Sequence, residues 1–218
     1  MPPAANPVLC SVTDRHLLGP DEDARLAALS AAIRRAIAAS VDWIQIREKD
    51  LSGRRLSELV RDAVGAAGGS STRILVNDRL DIALGLGAAG VHLSEESVPV
   101  AEVTRWRNAD PAHRSFLVGA SCHSLAAAQQ AEHDGADYIF FGPVFDTPAK
   151  RKFGPPQGLE RLSEVCRAAR VPVLAIGGIT LENAPGCLRS GAAGLAAIRL
   201  FQDSPDLPAV LSHLRGMM

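Results

Sequence analysis

Short β-rich apolar runs alternate along the chain with longer stretches whose apolar residues recur every three or four positions. Residues 7–13 form the first such run. Residues 21–40 follow, with Leu26, Leu29, Ile33 and Ile37 at helical spacing. The same alternation predicts strands at 41–47, 73–77, 90–93, 116–121, 138–141, 171–176 and 194–198. It predicts helices at 56–67, near Asp81, from about Val100, and at 124–134, 158–169, 181–190 and 206–215. Eight units in 218 residues leave about 27 residues each, near the minimum for a strand with its crossover helix. An echo marks three helix-to-strand junctions: Gly87-Ala-Ala-Gly-Val, Gly135-Ala-Asp-Tyr-Ile and Gly191-Ala-Ala-Gly-Leu. A left-handed glycine ends a helix there, and small residues turn the chain tightly into a buried strand. Such regular punctuation favours a closed (β/α)8 TIM barrel, one domain spanning 1–218, over an open doubly wound sheet. The segment 143–157 is too long for a tight turn and is predicted to be a functional or mobile loop.

Composition narrows the function. The chain is 47% hydrophobic and 22% charged, as a globular domain is. With 23 basic and 24 acidic residues the net charge is −1, so no global field favours nucleic acid or an anionic membrane. A basic pocket must be local. The apolar runs are strand-sized, and the first six residues lack the basic and apolar regions of a signal peptide. A cytoplasmic protein is expected. Cys10, Cys122, Cys166 and Cys187 form no CxxC pair and read as small core residues in a reducing compartment. One Tyr and two Trp offer no aromatic interface patch, and the oligomeric state stays open.

In such a barrel the chemistry lies just past the C-terminal end of each strand. After strand two, Gln45, Arg47 and Lys49 stand at a spacing that puts Gln45 and Arg47 on one side. An inward Gln and Arg are costly to bury without a partner. Arg with Lys suits a phosphate-bearing ligand; the other reading is a salt bridge to Glu48 or Asp50. After strand three comes Asn77-Asp78-Arg79, where Asp78 either holds Mg²⁺ or caps the next helix. After strand four comes His92-Leu-Ser94-Glu95-Glu96-Ser97, whose acidic pair belongs either to a metal site or to a helix start. After strand five, Ser124 reads as an N-cap, which leaves Ser121 and His123 as site groups, the histidine for proton transfer. After strand six, Gly142, Thr147 and Lys150 lie on the long loop, which is suited to close over a ligand. Gly177-Gly178 and Ile198-Arg199 end strands seven and eight, the usual place for a phosphate held by backbone amides.

Together these motifs resemble the thiamine phosphate synthase/TenI family over nearly the whole chain. The resemblance is carried by Gln45-x-Arg47-x-Lys49, Asn77-Asp78-Arg79, Gly90-Val-His-Leu, Ser121-x-His123, Gly135-Ala-Asp-Tyr, Gly142-Pro-Val-Phe-x-Thr147-x-x-Lys150 and Ala175-Ile-Gly-Gly-Ile. It implies that hydroxymethylpyrimidine pyrophosphate is joined to a thiazole phosphate with release of pyrophosphate. The departing group leaves a stabilised cation, which the thiazole nitrogen attacks. By analogy Arg47, Lys49, Asn77, Thr147 and Lys150 grip pyrophosphate, with Gln45 among the substrate contacts. Asp78 binds Mg²⁺, and Ser121 lies near the reacting carbon, with His123 and Lys150 the other catalytic candidates. Gly177, Gly178, Ile198 and Arg199 hold the thiazole phosphate.

Three positions depart from the family pattern. Synthases usually carry a second Mg²⁺-binding Asp where Ser97 stands, with Glu96 adjacent. A hydroxyl-bearing residue is usual at Ala149, and a small Ser at Arg199. TenI-type relatives discard the pyrophosphate half of the site and isomerise a thiazole carboxylate phosphate, with a His matching His123 as proton shuttle. A third reading is a barrel that binds precursors or partner proteins without turnover. The synthase leads, because Arg47, Lys49, Asn77, Asp78, Thr147 and Lys150 all remain.

Overall fold

The computed structural model describes residues 6–147 and 155–217. Eight parallel strands close into a barrel in sequence order: β1 (Val8–Val12), β2 (Trp43–Ile46), β3 (Arg73–Asn77), β4 (Gly90–Leu93), β5 (Leu117–Cys122), β6 (Tyr138–Phe141), β7 (Val173–Ile176) and β8 (Gly194–Ala197). Around them run α1 (Glu22–Ala38), α2 (Gly53–Ala67), α3 (Leu80–Gly85), α4 (Val100–Ala109), α5 (Leu125–His133), α6 (Gly158–Ala168), α7 (Ala184–Arg189), α8 (Arg199–Gln202) and α9 (Leu207–Arg215). Among the described residues no helix is long and apolar enough to cross a membrane.

Every strand of the expected barrel is present. β7 starts two residues later than the apolar run, after Pro172, which has no N–H to give the ladder. Among the described residues three short elements are unforeseen, the 3-10 turns Arg15–Leu17 and Pro111–His113 and the helix α8, whose four residues are too few to show helical periodicity. Helix α8 is tied to the loop after β1 by Gln202, whose amide donates to the Asp14 carbonyl (2.9 Å) and accepts from the Asp14 N–H (3.2 Å). Ser124 caps α5, accepting from the Ala127 N–H at 3.1 Å. The three echo glycines, Gly87, Gly135 and Gly191, all have positive φ. Cys10, Cys122 and Cys187 are buried, Cys166 is half-buried, and none is bonded to another. Burial pushes the Cys122 thiol up to about 12, so it is no nucleophile at neutral pH.

Alternation along each strand sorts the core into two layers. The outer one packs strands against helices, as with Ile44, Val76, Val91 and Leu195. The inner one fills the barrel with Cys10, Val12, Leu75, Tyr138, Phe140, Leu174 and Ala196, and Trp43 packs onto it. The Trp43 and Tyr138 ring centroids are 4.7 Å apart. The Tyr138 ring occupies the space over Gly119, where an added Cβ would lie 2.0 Å from its Cζ. We expect Gly119→Ala to cost roughly 1–3 kcal/mol through overpacking, read as a lower urea midpoint. An unchanged midpoint would show that the aromatic floor yields freely.

Candidate active site

The mouth is built from β2 onward. Gln45 is inside the barrel and 1% exposed. Its Nε2 donates to Asn77 Oδ1 at 2.9 Å, and Asn77 Nδ2 donates to Asp78 Oδ2 at 2.6 Å. A carboxylate only accepts, so the polarity of this chain is fixed. Asn77 must turn its NH₂ to Asp78, and Gln45 its NH₂ to Asn77. Gln45 Oε1 is thereby left buried without a partner.

Arg47 is half-buried, and its backbone N–H donates to Thr13 Oγ1 at 2.9 Å. The expected alternative, a salt bridge from Arg47 or Lys49 to Glu48 or Asp50, does not form, because Arg15 takes both carboxylates. Arg15 is 3% exposed. Its guanidinium bonds Glu48 Oε2 at 3.1 Å, both oxygens of Asp50 at 2.7 Å and Glu22 Oε1 at 3.0 Å. Thr13 Oγ1 donates to Glu48 Oε1 at 2.7 Å. Burial pushes the Glu48 carboxyl up, against the pull of Thr13 and Arg15, while the Arg15 guanidinium holds Asp50 far below the usual carboxylate range. The Arg47 guanidinium has no polar partner among the described residues. Lys49 is exposed, with Nζ 4.0 Å from Asp78 Oδ2.

Asp78 sits in the left-handed region at φ 59°, a conformation Asp tolerates better than most residues. It does not cap α3, which begins without a side-chain cap. Its Oδ1 instead accepts from the Ser94 N–H at 2.8 Å and from the Ser97 hydroxyl. Burial pushes its carboxyl up, but the bonds from Ser97 and Ser94 with the Lys49 charge outweigh it and leave the group below its ordinary value. Glu95 and Glu96 are exposed in a turn ahead of α4, so they neither start that helix nor meet Asp78. No cluster of three or more His, Cys, Asp or Glu able to hold a metal occurs among the described residues. A metal site made by the protein alone therefore does not fit. One carboxylate beside two serine hydroxyls does fit Mg²⁺ that arrives on substrate phosphates.

The sequence reading passed over His92 and Tyr138. His92 is 1% exposed on the inner face of β4, with Nδ1 3.1 Å from the Tyr138 hydroxyl and Nε2 2.9 Å from Ser121 Oγ. Its ring lies tilted against that of Phe140, with the centroids 4.2 Å apart. Burial lowers the imidazole to about 3, so it is neutral at working pH. The signal was period two, which turns Gly90, His92 and Ser94 to one side. His123 follows β5 half-buried, with Nδ1 bonded to the Gly142 carbonyl. A carbonyl only accepts, so Nδ1 carries the proton and Nε2 of the neutral ring is a base.

The strand-six loop packs on the Gly-Gly turn: Val144 N–H donates to the Ile176 carbonyl (2.9 Å), and Phe145 N–H to that of Gly177 (3.0 Å). A Cβ on Gly177 would lie 2.6 Å from Pro143, and one on Gly178 2.7 Å from the Asp146 carbonyl. Both glycines have positive φ. The turn is thus shaped by loop packing as well as by any ligand. Gly177-Gly178 and Ile198-Arg199 follow strands that pair directly. Arg199 is exposed at the start of α8, and no residue among those described pairs with it. Thr147 is half-buried at the edge of the described loop; Ala149 and Lys150 lie outside the described residues.

The family model described as thiamine monophosphate synthase matches residues 9–201. The chain belongs to this family. It is 40% identical to the thiamine-phosphate synthase of Methanocella arvoryzae, across 85% of either chain. It is 38% identical to that of Roseiflexus castenholzii, across 97% of this chain and 88% of the relative. Among solved structures, thiamine phosphate pyrophosphorylase from Pyrococcus furiosus superposes with a TM-score of 0.79 at 30% identity, covering 98% of this chain and 96% of that one. Of the three positions expected to depart from the family pattern, this structure describes the surroundings of Ser97 and Arg199.

The buried imidazole makes a pH test. An unfolded histidine titrates near 6.5, whereas His92 resists protonation down to about 3. Between these values the unfolded chain binds a proton that the native one does not, so stability falls as pH drops through that window. We expect His92→Gln to flatten the fall of the urea midpoint between pH 6.5 and pH 3 relative to the parent. Parallel curves would mean that His92 does not carry this proton linkage.

Proposed function

We propose that the chain is a thiamine-phosphate synthase, joining the hydroxymethylpyrimidine of a pyrophosphate ester to a thiazole phosphate and releasing pyrophosphate. The observation that carries this reading is the Arg47 guanidinium at the barrel mouth, which has no polar partner among the described residues. Its neighbouring carboxylates, Glu48 and Asp50, are bound by Arg15. A half-buried cation with no counter-ion among the described residues suits an anionic ligand. The orphaned acceptor at Gln45 asks equally for an N–H donor from the ligand.

In this reading Arg47, Lys49 and Asn77 bind the pyrophosphate, joined by Thr147 and Lys150 from the loop. They stabilise negative charge as the bond to carbon breaks. Asp78 would hold Mg²⁺, which when bound neutralises further charge on the leaving group. Ser121 contacts the pyrimidine near the reacting carbon. The amides at Gly177-Gly178 and Ile198-Arg199 hold the thiazole phosphate and aim its nitrogen at that carbon.

A second reading is the TenI-type isomerisation of a thiazole carboxylate phosphate. It is favoured by Ser97 in place of a second carboxylate and by Ala149 in place of a hydroxyl-bearing residue. One assay separates the two. Purified protein with both precursors and Mg²⁺ is expected to form thiamine phosphate, and Arg47→Ala to lower kcat/KM at least about a hundredfold. Ser97→Asp is expected to raise activity at low Mg²⁺ by restoring a ligand. If no thiamine phosphate forms, yet the carboxylate isomerises and His123→Ala abolishes that turnover, the isomerase replaces the synthase.

A further inference from the structure

We propose that Tyr138, acting through His92, fixes the Ser121 hydroxyl as a hydrogen-bond donor toward an acceptor atom of the substrate's ring. The proposal rests on the reading that Ser121 faces the substrate. Tyr138 and His92 are then positioning residues, buried beneath the site and touching no ligand.

The polarity follows from the surroundings of the phenol. Tyr138 is 1% exposed, with its ring packed between Trp43 and Phe140. Among the described residues its hydroxyl has one hydrogen-bond partner, His92 Nδ1 at 3.1 Å. A buried O–H that donates to nothing is strongly disfavoured, so the phenol donates to Nδ1. A neutral imidazole carries one N–H, which must then be on Nε2. That N–H donates to Ser121 Oγ at 2.9 Å. The serine oxygen accepts this bond and keeps its own O–H free to donate outward. The reverse polarity would aim the phenol O–H into the aromatic floor. It would also spend the serine proton on His92, leaving the substrate only lone pairs. Gly119 serves the same device, since only a residue without Cβ leaves room for the Tyr138 ring over β5.

The direct test is nitrogen-15 NMR of histidine-labelled, ligand-free protein, in which protonated and unprotonated ring nitrogens resonate far apart. We expect His92 protonated on Nε2 and bare on Nδ1, with a mixture of tautomers in Tyr138→Phe. A wild-type His92 protonated on Nδ1 overturns the relay. This arm needs no turnover, so it judges the relay even if no thiamine phosphate is formed and the synthase reading falls. A double-mutant cycle supplies the functional arm. Tyr138→Phe and Ser121→Ala are each expected to lower kcat/KM about tenfold or more, and the double variant is expected to be no worse than Ser121→Ala alone. Losses that multiply would show that Tyr138 acts elsewhere. Should Tyr138→Phe fail to fold, His92→Asn takes its place in the cycle, since it removes outright the ring N–H that the serine accepts.

Discussion

Closing eight parallel strands forces every second residue into a space with room for only a few layers of side chains. All else in this molecule answers to that constraint. Lower in the barrel the space is filled by Tyr138, Phe140, Leu75 and Trp43, and Gly119 gives up its side chain to admit one ring. One step up each strand the same faces present Gln45, Asn77, His92 and Ser121. Polar groups at such depth must be paired. They pair among themselves, in two chains that start from Asp78 and from Tyr138. A carboxylate can only accept, and a phenol in an apolar floor must donate. The first anchor leaves a buried acceptor without a partner at Gln45; the second, in the proposed relay, leaves the Ser121 hydroxyl proton free.

The charged groups follow a different rule. Arg47, Glu48, Lys49 and Asp50 alternate in sign, and in solution such a segment would neutralise itself. Past the end of β2 at Ile46, Arg15 prevents this by taking both carboxylates. Glu48 is buried against Arg15 and Thr13. Removing one partner of that buried pair would strand the other charge. The pair is thus weak evidence for stability and stronger evidence for arrangement: it keeps the carboxylates off the cations that face the mouth.

The strands and most helices were legible because they rest on local period and on turn residues. β3, β4 and β6 keep even their expected ends. The strand-end candidates were legible for a related reason, since topology alone brings them to one mouth. What was illegible is long-range pairing. Nothing local distinguishes Arg15 from a solvated loop arginine; its partners at Glu48 and Asp50 are 33 and 35 residues away. His92 and Tyr138 are 46 residues apart, and each alone reads as an ordinary core residue. α8 was missed because four residues show no period, although Gln202 binds it to the first loop.

The two described departures from the family pattern share a sign. By the resemblance, Ser97 stands where synthases would carry an Asp and Arg199 where they would carry a Ser, so on the proposed reading each makes the mouth more positive by one charge. The first removes a carboxylate that would help hold a divalent cation. In its place a neutral hydroxyl donates to Asp78, which steadies that carboxylate without competing for metal charge. Lys49, 4.0 Å from Asp78, and Arg47 already stand where phosphate oxygens would lie in the proposed reaction. In the proposed reaction the burden of neutralising the leaving group would therefore fall more on fixed side-chain cations than on a doubly anchored metal. Side-chain cations need no free metal to be in place, whereas Mg²⁺ held by one carboxylate depends on the phosphates that accompany it. The departures thus read as one redistribution of charge within a retained site.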